Sequence, residues 1–302
     1  MGYSSYSSTA HRTRTLSYKS KSTKELFSEN FNDAMNPKHI TIRECRDSEN
    51  HPEAFPIILG LDVTGSMGIV PDYLVREGLI HVMDDIIKGG LKSPQICFMG
   101  IGDHEYDKAP LQVGQFEASD DLLDKWLRQT FLEGGGGGNR GESYMLPWLF
   151  AAERCVTDHW EKRNKRGIII TIGDEPVLED VDGDDLVRYL GGQYQRMTTR
   201  ELLDMVREKW EVHHIHISET ASGRRPFVAN EWRSLLGHSN VHPVQSREHV
   251  SDMITKLVLD VKKNQSKGSS TSVPEQPVMD EASGDLNEID GDSGKKDDEI
   301  LM

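Results

Sequence analysis

The chain has 302 residues, of which 36% are hydrophobic and 28% charged, with a net charge of −15, so it can bury one large core or two small ones. Residues 275–302 carry ten acidic and two basic side chains, about half of the total imbalance, and an acidic surface excludes nucleic-acid binding as the main role because phosphate contacts need clustered Lys and Arg. Three cysteines, Cys45, Cys97 and Cys155, have no metal-type spacing and an odd count that argues against a disulfide framework; a reducing cytoplasm is the expected setting.

Residues 1–25 are Ser-, Thr- and base-rich without a hydrophobic period, so they are expected to form a disordered arm. They show neither a signal peptide nor a spanning helix, and no role at a membrane is expected. A folded domain is expected over 26–262. In "HITIREC" the alternation of Ile40 and Ile42 suggests a half-buried edge strand. Next, "FPIILGLD" is a short continuous apolar run of the kind found in a strand buried on both faces. Val75, Leu79, Val82, Met83, Ile86 and Ile87 then mark one helical stripe.

The pattern repeats down the chain. "QICFMGIGD" is a second buried strand and "LQVGQFE" a weaker edge strand, with a helix from Leu122 to Leu132. Another helix begins near Ser143, followed by the buried strand "RGIIITIGD" and the helix "TRELLDMVREKW". "VHHIHIS", "EWRSLLG", "NVHPV" and "EHVSDMITKLVLDV" read as strand, helix, strand, helix. Such alternation calls for an α/β fold with a doubly wound, mainly parallel sheet and helices on both faces. Residues 263–302 lose apolar content and are expected to be a disordered acidic tail.

In an open parallel sheet the loops at the carboxyl ends of the strands hold ligands, and here each opens with an acidic residue: Asp62 in "DVTGSMG", Asp103 in "GDHEYDKAP" and Asp174 in "GDEP". A fourth loop, "EGGGGGNRGES", has five consecutive glycines. Asp62, Thr64 and Ser66 stand at alternate positions on a tight turn, where their oxygens can converge on a hard cation. The other readings of the heptad are a nucleophile at a strand end and a plain helix cap by Thr64 and Ser66.

"DVTGSMG" resembles the metal-ion-dependent adhesion site signature, Asp-x-Ser/Thr-x-Ser, of the von Willebrand factor type A domain, and the resemblance extends over residues 55–260. It implies a Mg²⁺ (or Mn²⁺) site made by Asp62, Thr64, Ser66, Asn139 and Asp174. Asn139 is neutral where related microbial domains often carry a carboxylate, which leaves Glu142 or Ser143 as alternative ligands. The resemblance further implies an intracellular, microbial or phage type of protein that works by binding, without catalysis: a partner protein offers an Asp or Glu to the metal, in the setting of an AAA+ ATPase. The competing class is a metal-dependent phosphotransferase or phosphatase using Asp62, because "DVTGS" is also similar to the phosphorylation motif of haloacid-dehalogenase-type pumps and Asp103–Asp107 fits a Gly-Asp-x-x-x-Asp metal motif. The order of those segments is wrong for that family. The acidic stretch Asp103, His104, Glu105 and Asp107 reads by itself as a solvated loop. "EDVDGDDL" fails as an EF-hand because its glycine and its twelfth residue are misplaced, and "HHIH" reads as strand interior or edge.

Overall fold

A computed structural model describes residues 6–134 and 141–268. Among the described residues ten strands form in chain order: β1 (Arg43–Cys45), β2 (Phe55–Asp62), β3 (Pro94–Ile101), β4 (Leu111–Val113), β5 (Cys155–Thr157), β6 (Gly167–Gly173), β7 (Asp180–Val181), β8 (Met197–Thr198), β9 (Trp210–Ile217) and β10 (Val241–Val244). Six of them make the central sheet in the order β10-β9-β6-β2-β3-β4. All its pairs are parallel except β3 with β4. Counted within this sheet, the order is the Rossmann arrangement 3-2-1-4-5-6 with its third strand reversed. The expected doubly wound, mainly parallel sheet is borne out.

The period of two explains why this sheet needs cover on both faces. Ile57, Leu59 and Leu61 of β2, with Ile168, Ile170 and Ile172 of β6, enter one core, which is closed by Val75, Leu79, Val82, Met83 and Ile86 and by Val250, Ile254 and Val258. Ile58 and Ile169 point the other way, into a core with Trp148, Leu149, Leu203, Val206 and Trp232. Alternate residues on both faces are apolar, so the strands read as unbroken hydrophobic runs. Of the predicted helical stripe only Ile87 lies at the surface.

The remaining predictions shift at their edges. The helix expected over 122–132 is Asp120–Arg128, and the one expected near Ser143 is Met145–Arg154. "HITIREC" yields only β1, which pairs with β5 in a separate two-stranded sheet and leaves the central one. The last helix, Val250–Gly268, runs past the predicted boundary at 262, while the rest of the acidic tail lies outside the described residues.

A larger correction concerns the arm. Residues 8–16 form a helix, Ser8–Leu16, capped by Ser7, whose side chain accepts from the Ala10 amide. Arg12 pairs with Asp84 at 2.8 Å and Arg14 with Asp120 at 2.7 Å. The Tyr18 hydroxyl donates to Asp124 at 2.8 Å. His11 is buried beneath the helix. Ionic and hydrogen-bonding contacts hold a segment that has almost no apolar face. Among the described residues no helix is long and apolar enough to cross a membrane.

Candidate metal centre

The strand order reverses between β2 and β6, and a crevice opens at such a point because the connections on either side leave to opposite faces. Asp62 ends β2 and Asp174 follows the last residue of β6. Both are buried, at 0% and 2% exposure.

Local bonding shapes the first loop. The Thr64 amide donates back to Asp62 Oδ1 at 3.0 Å, which turns the chain as Asp side chains do in tight turns. Gly65 then adopts φ of 36°, a left-handed value that a side chain would disfavour. A short 3-10 turn, Gly65–Gly68, follows, with the Met67 amide on the Thr64 carbonyl at 2.8 Å. The helix therefore begins at Ile69. Ser66 lies in this turn; its side chain is outside the described set.

Two other loops reach the same place. Glu142 is held by bonds from its own amide to the Pro176 carbonyl at 2.9 Å and from the Leu178 amide to its carbonyl at 3.1 Å. Its side chain, 4% exposed, approaches the Thr64 hydroxyl at 3.0 Å, and that hydroxyl also lies 2.8 Å from Asp62 Oδ1. One hydroxyl proton cannot serve two carboxylates. Both contacts are therefore hydrogen bonds only when one of the two carboxyls carries a proton. Burial, and after it the Asp62 charge, raises the Glu142 carboxyl well above its ordinary range. Burial and then Asp174 raise Asp62 in the same way. Glu142 Oε2 has no hydrogen-bond partner among the described residues.

Tyr144 completes the floor by donating to Asp62 Oδ2 at 2.7 Å. Its hydroxyl passes over β6 at Gly173, where a Cβ would collide with it. Asp174 accepts from the Thr220 hydroxyl, which in turn receives the Gly223 amide at 3.0 Å. Tyr144 and Thr220 carry no spacing signal, because each comes from a loop that only the fold brings close. Ser143, an alternative ligand, is engaged elsewhere: its hydroxyl sits 2.8 Å from both the His104 amide and His104 Nδ1. Asp103 and His104 are themselves buried, which corrects the expectation of a solvated loop for these two, whereas Glu105 is exposed and Asp107 half-buried. The neighbouring amides of Asp103 and Glu105 bond to carboxylates of the same loop, at 2.8 Å to Asp107 and 2.9 Å to Asp103, and so fold it inward.

Asn139 lies outside the described residues. The flanks of its loop are fixed, however: the Glu133 amide bonds to the Val63 carbonyl at 3.0 Å, and Glu142 lies against Pro176. No cluster of three or more His, Cys, Asp or Glu that could hold a metal ion occurs among the described residues. The donor set fits a hard ion. It consists of carboxylate and hydroxyl oxygens, with protons standing where positive charge is needed.

No family model matches the chain, and no curated protein matches it. Solved structures do. The pilus adhesin SpaC of Lactobacillus rhamnosus GG in its open conformation is 13% identical, with 72% of this chain covering 31% of that one and a TM-score of 0.48. Proximal thread matrix protein 1 from the mussel byssus is 13% identical, with coverage of 69% and 48% and a TM-score of 0.44. The vWF domain of the type V pili tip protein Mfa5 from Porphyromonas gingivalis is 8% identical, with coverage of 74% and 97% and a TM-score of 0.45. The chain thus spans about a third of the adhesin's length. Likenesses this distant carry no argument about ligand or activity, and the fold stands on strand order and register.

Proposed function

We propose that the chain is a protein-binding module of von Willebrand factor A type that holds Mg²⁺ or Mn²⁺ through Asp62, Thr64, Ser66 and Asp174, with Asn139 or Glu142 from the glycine-rich loop. The observation that carries this reading is the buried Asp62–Thr64–Glu142 chain, with Asp174 beside it at the switch point of the sheet. Bound there, the metal would offset the carboxylate charge and offer its remaining positive field to an Asp or Glu of a partner protein. The residues of this chain hold the donors in place: Tyr144 fixes one oxygen of Asp62 and Thr220 one of Asp174. A cytoplasmic setting beside an AAA+ ATPase belongs to the same proposal and rests on the sequence resemblance.

Binding is preferred to phosphoryl transfer by Asp62 because the Gly-Asp-x-x-x-Asp segment, Asp103–Asp107, follows too soon after Asp62 for the order of the haloacid-dehalogenase-type phosphotransferases. Pull-down from cell extract in Mg²⁺ and in EDTA, followed by affinity measurement with the captured protein, tests the proposal. Binding is expected to vanish in EDTA and to weaken at least about tenfold, roughly 1.4 kcal/mol, in a folded Thr64→Ala, Ser66→Ala double variant. Binding unchanged in both conditions would overturn it, as would hydrolysis of a generic phosphoester that Asp62→Asn abolishes.

A further inference from the structure

At the opposite pole of the sheet, where the amino ends of β2 and β3 meet the helix Val250–Gly268, lies a cavity of about 450 Å³. Three residues that line it carry a buried polar atom with no hydrogen-bond partner among the described residues: Ser93 Oγ, His159 Nδ1 and Arg163 Nε. Ser93 is 2% exposed and His159 is 5% exposed. A buried polar atom without a partner is destabilising, and three around one cavity mark a place where something else supplies the partners.

The charges around the cavity fix the sign of that ligand. Lys92, Arg163, Lys165 and Lys262 line it against a single carboxylate, Glu53, in a chain whose net charge is −15. Arg163 has its two terminal nitrogens on Asp47, at 2.7 and 3.0 Å, and one of them also on the Ala54 carbonyl at 3.2 Å, while its Nε–H has no partner among the described residues. Lys92, Lys165 and Lys262 enter no ion pair among the described residues, and Lys262 Nζ reaches only the Gly89 carbonyl at 3.3 Å.

Hydrogen-bond polarity narrows the ligand further. The Gln265 side-chain amide donates to the Arg166 carbonyl at 2.7 Å, so its Oε1 faces His159 Nε2 at 3.0 Å and must accept. His159 therefore carries its proton on Nε2, and Nδ1 is a bare acceptor. Burial above all keeps this ring neutral, holding its pKa down to about 4, and the nearby Arg163 and Lys165 charges lower it as well. The cavity thus presents the Ser93 hydroxyl, the Nε–H of the Arg163 guanidinium, three ammonium groups and one acceptor. An oxyanion that retains a proton complements that set.

We propose that this cavity is a binding site for a phosphate group bearing one proton, with Ser93 and Arg163 Nε donating to its oxygens, the three lysines balancing its charge, and its O–H donating to His159 Nδ1. Inorganic phosphate carries that O–H at neutral pH; a small phosphate monoester, whose second proton leaves at about pH 6, carries it when the site holds the proton on; sulfate has no O–H near neutral pH. The inference is independent of the metal centre.

Calorimetric titration of the full chain in metal-free buffer with inorganic phosphate, phenyl phosphate and sulfate tests it. Binding of inorganic phosphate alone identifies the free ion as the ligand, whereas binding of phenyl phosphate as well admits a monoester. In either case the phosphate is expected to bind at least about tenfold more tightly than sulfate, and Ser93→Ala to weaken it at least about tenfold. The Lys92→Met, Lys165→Met double variant alters side chains at the rim and is expected to fold normally, with a loss of the same size. No binding of either phosphate at about 10 mM, equal affinity for sulfate, or indifference to Ser93→Ala in a protein that melts normally would overturn the assignment.

Discussion

Asp62 shows how much a single side chain depends on neighbours far away in sequence. Its two oxygens accept from Thr64 and from Tyr144, residues separated by 80 positions. Removing the distant donor should leave Oδ2 buried without its partner. Tyr144→Phe is accordingly expected to lower unfolding stability in EDTA by about 1–3 kcal/mol, measured by urea denaturation. An unchanged urea midpoint would mean that the hydrogen bond is compensated. Asp62, Thr64 and Asp174 were legible in the sequence, since a polar triad at a strand mouth and an acid after a buried strand are local signals. Tyr144 and Thr220 were not, because nothing in "ESYMLP" or "ETASG" distinguishes a hydroxyl aimed at a carboxylate from one in solvent. Burial and geometry assign them.

Among the secondary elements, the central strands were legible because both faces are buried, and the amino-terminal helix was not because its packing is polar. Hydrophobic periodicity detects elements that bury apolar stripes. Ser8–Leu16 instead attaches through Arg12 to Asp84 and Arg14 to Asp120, and Leu16 is exposed. β5 escaped for a related reason, and β1 was legible only as part of the longer edge strand "HITIREC". Three residues each, paired away from the main sheet, give too short a run for alternation to register. The helix is expected to contribute to stability all the same, since it buries its own His11 and ties through Arg14 to the Asp120 carbonyl and carboxylate at the start of the helix Asp120–Arg128. Deletion of residues 1–17 should lower the melting temperature by at least about 4 °C, the size of shift that one to two kcal/mol gives in a domain of this length. A melting curve that overlays the full chain would show that the docked helix adds nothing to the fold.

Across the whole molecule, the two candidate sites sit at opposite ends of one sheet. β2 has eight residues, with Phe55 at the phosphate cavity and Asp62 at the metal centre, so they lie about 25 Å apart at about 3.3 Å per residue. That exceeds the screening length of about 10 Å at moderate ionic strength. Coupling over such a distance needs an element with two discrete arrangements that both ligands bias. The path between the sites is instead β2 and β3, paired in register from Phe55↔Pro94 to Asp62↔Ile101 and buried throughout. Close-packed strands of this kind do not slide by fractions of a residue. The two sites are therefore expected to act independently, which a crossed pair of variants can measure. Asp62→Ala should abolish Mn²⁺ binding and leave phosphate affinity within about twofold of wild type, while Ser93→Ala should weaken phosphate and leave Mn²⁺ affinity within the same margin; linkage makes any coupling reciprocal, so a true effect must appear in both directions. A change of more than about fivefold in both crossed measurements, roughly 1 kcal/mol of coupling, would show that the sheet transmits a signal between its poles.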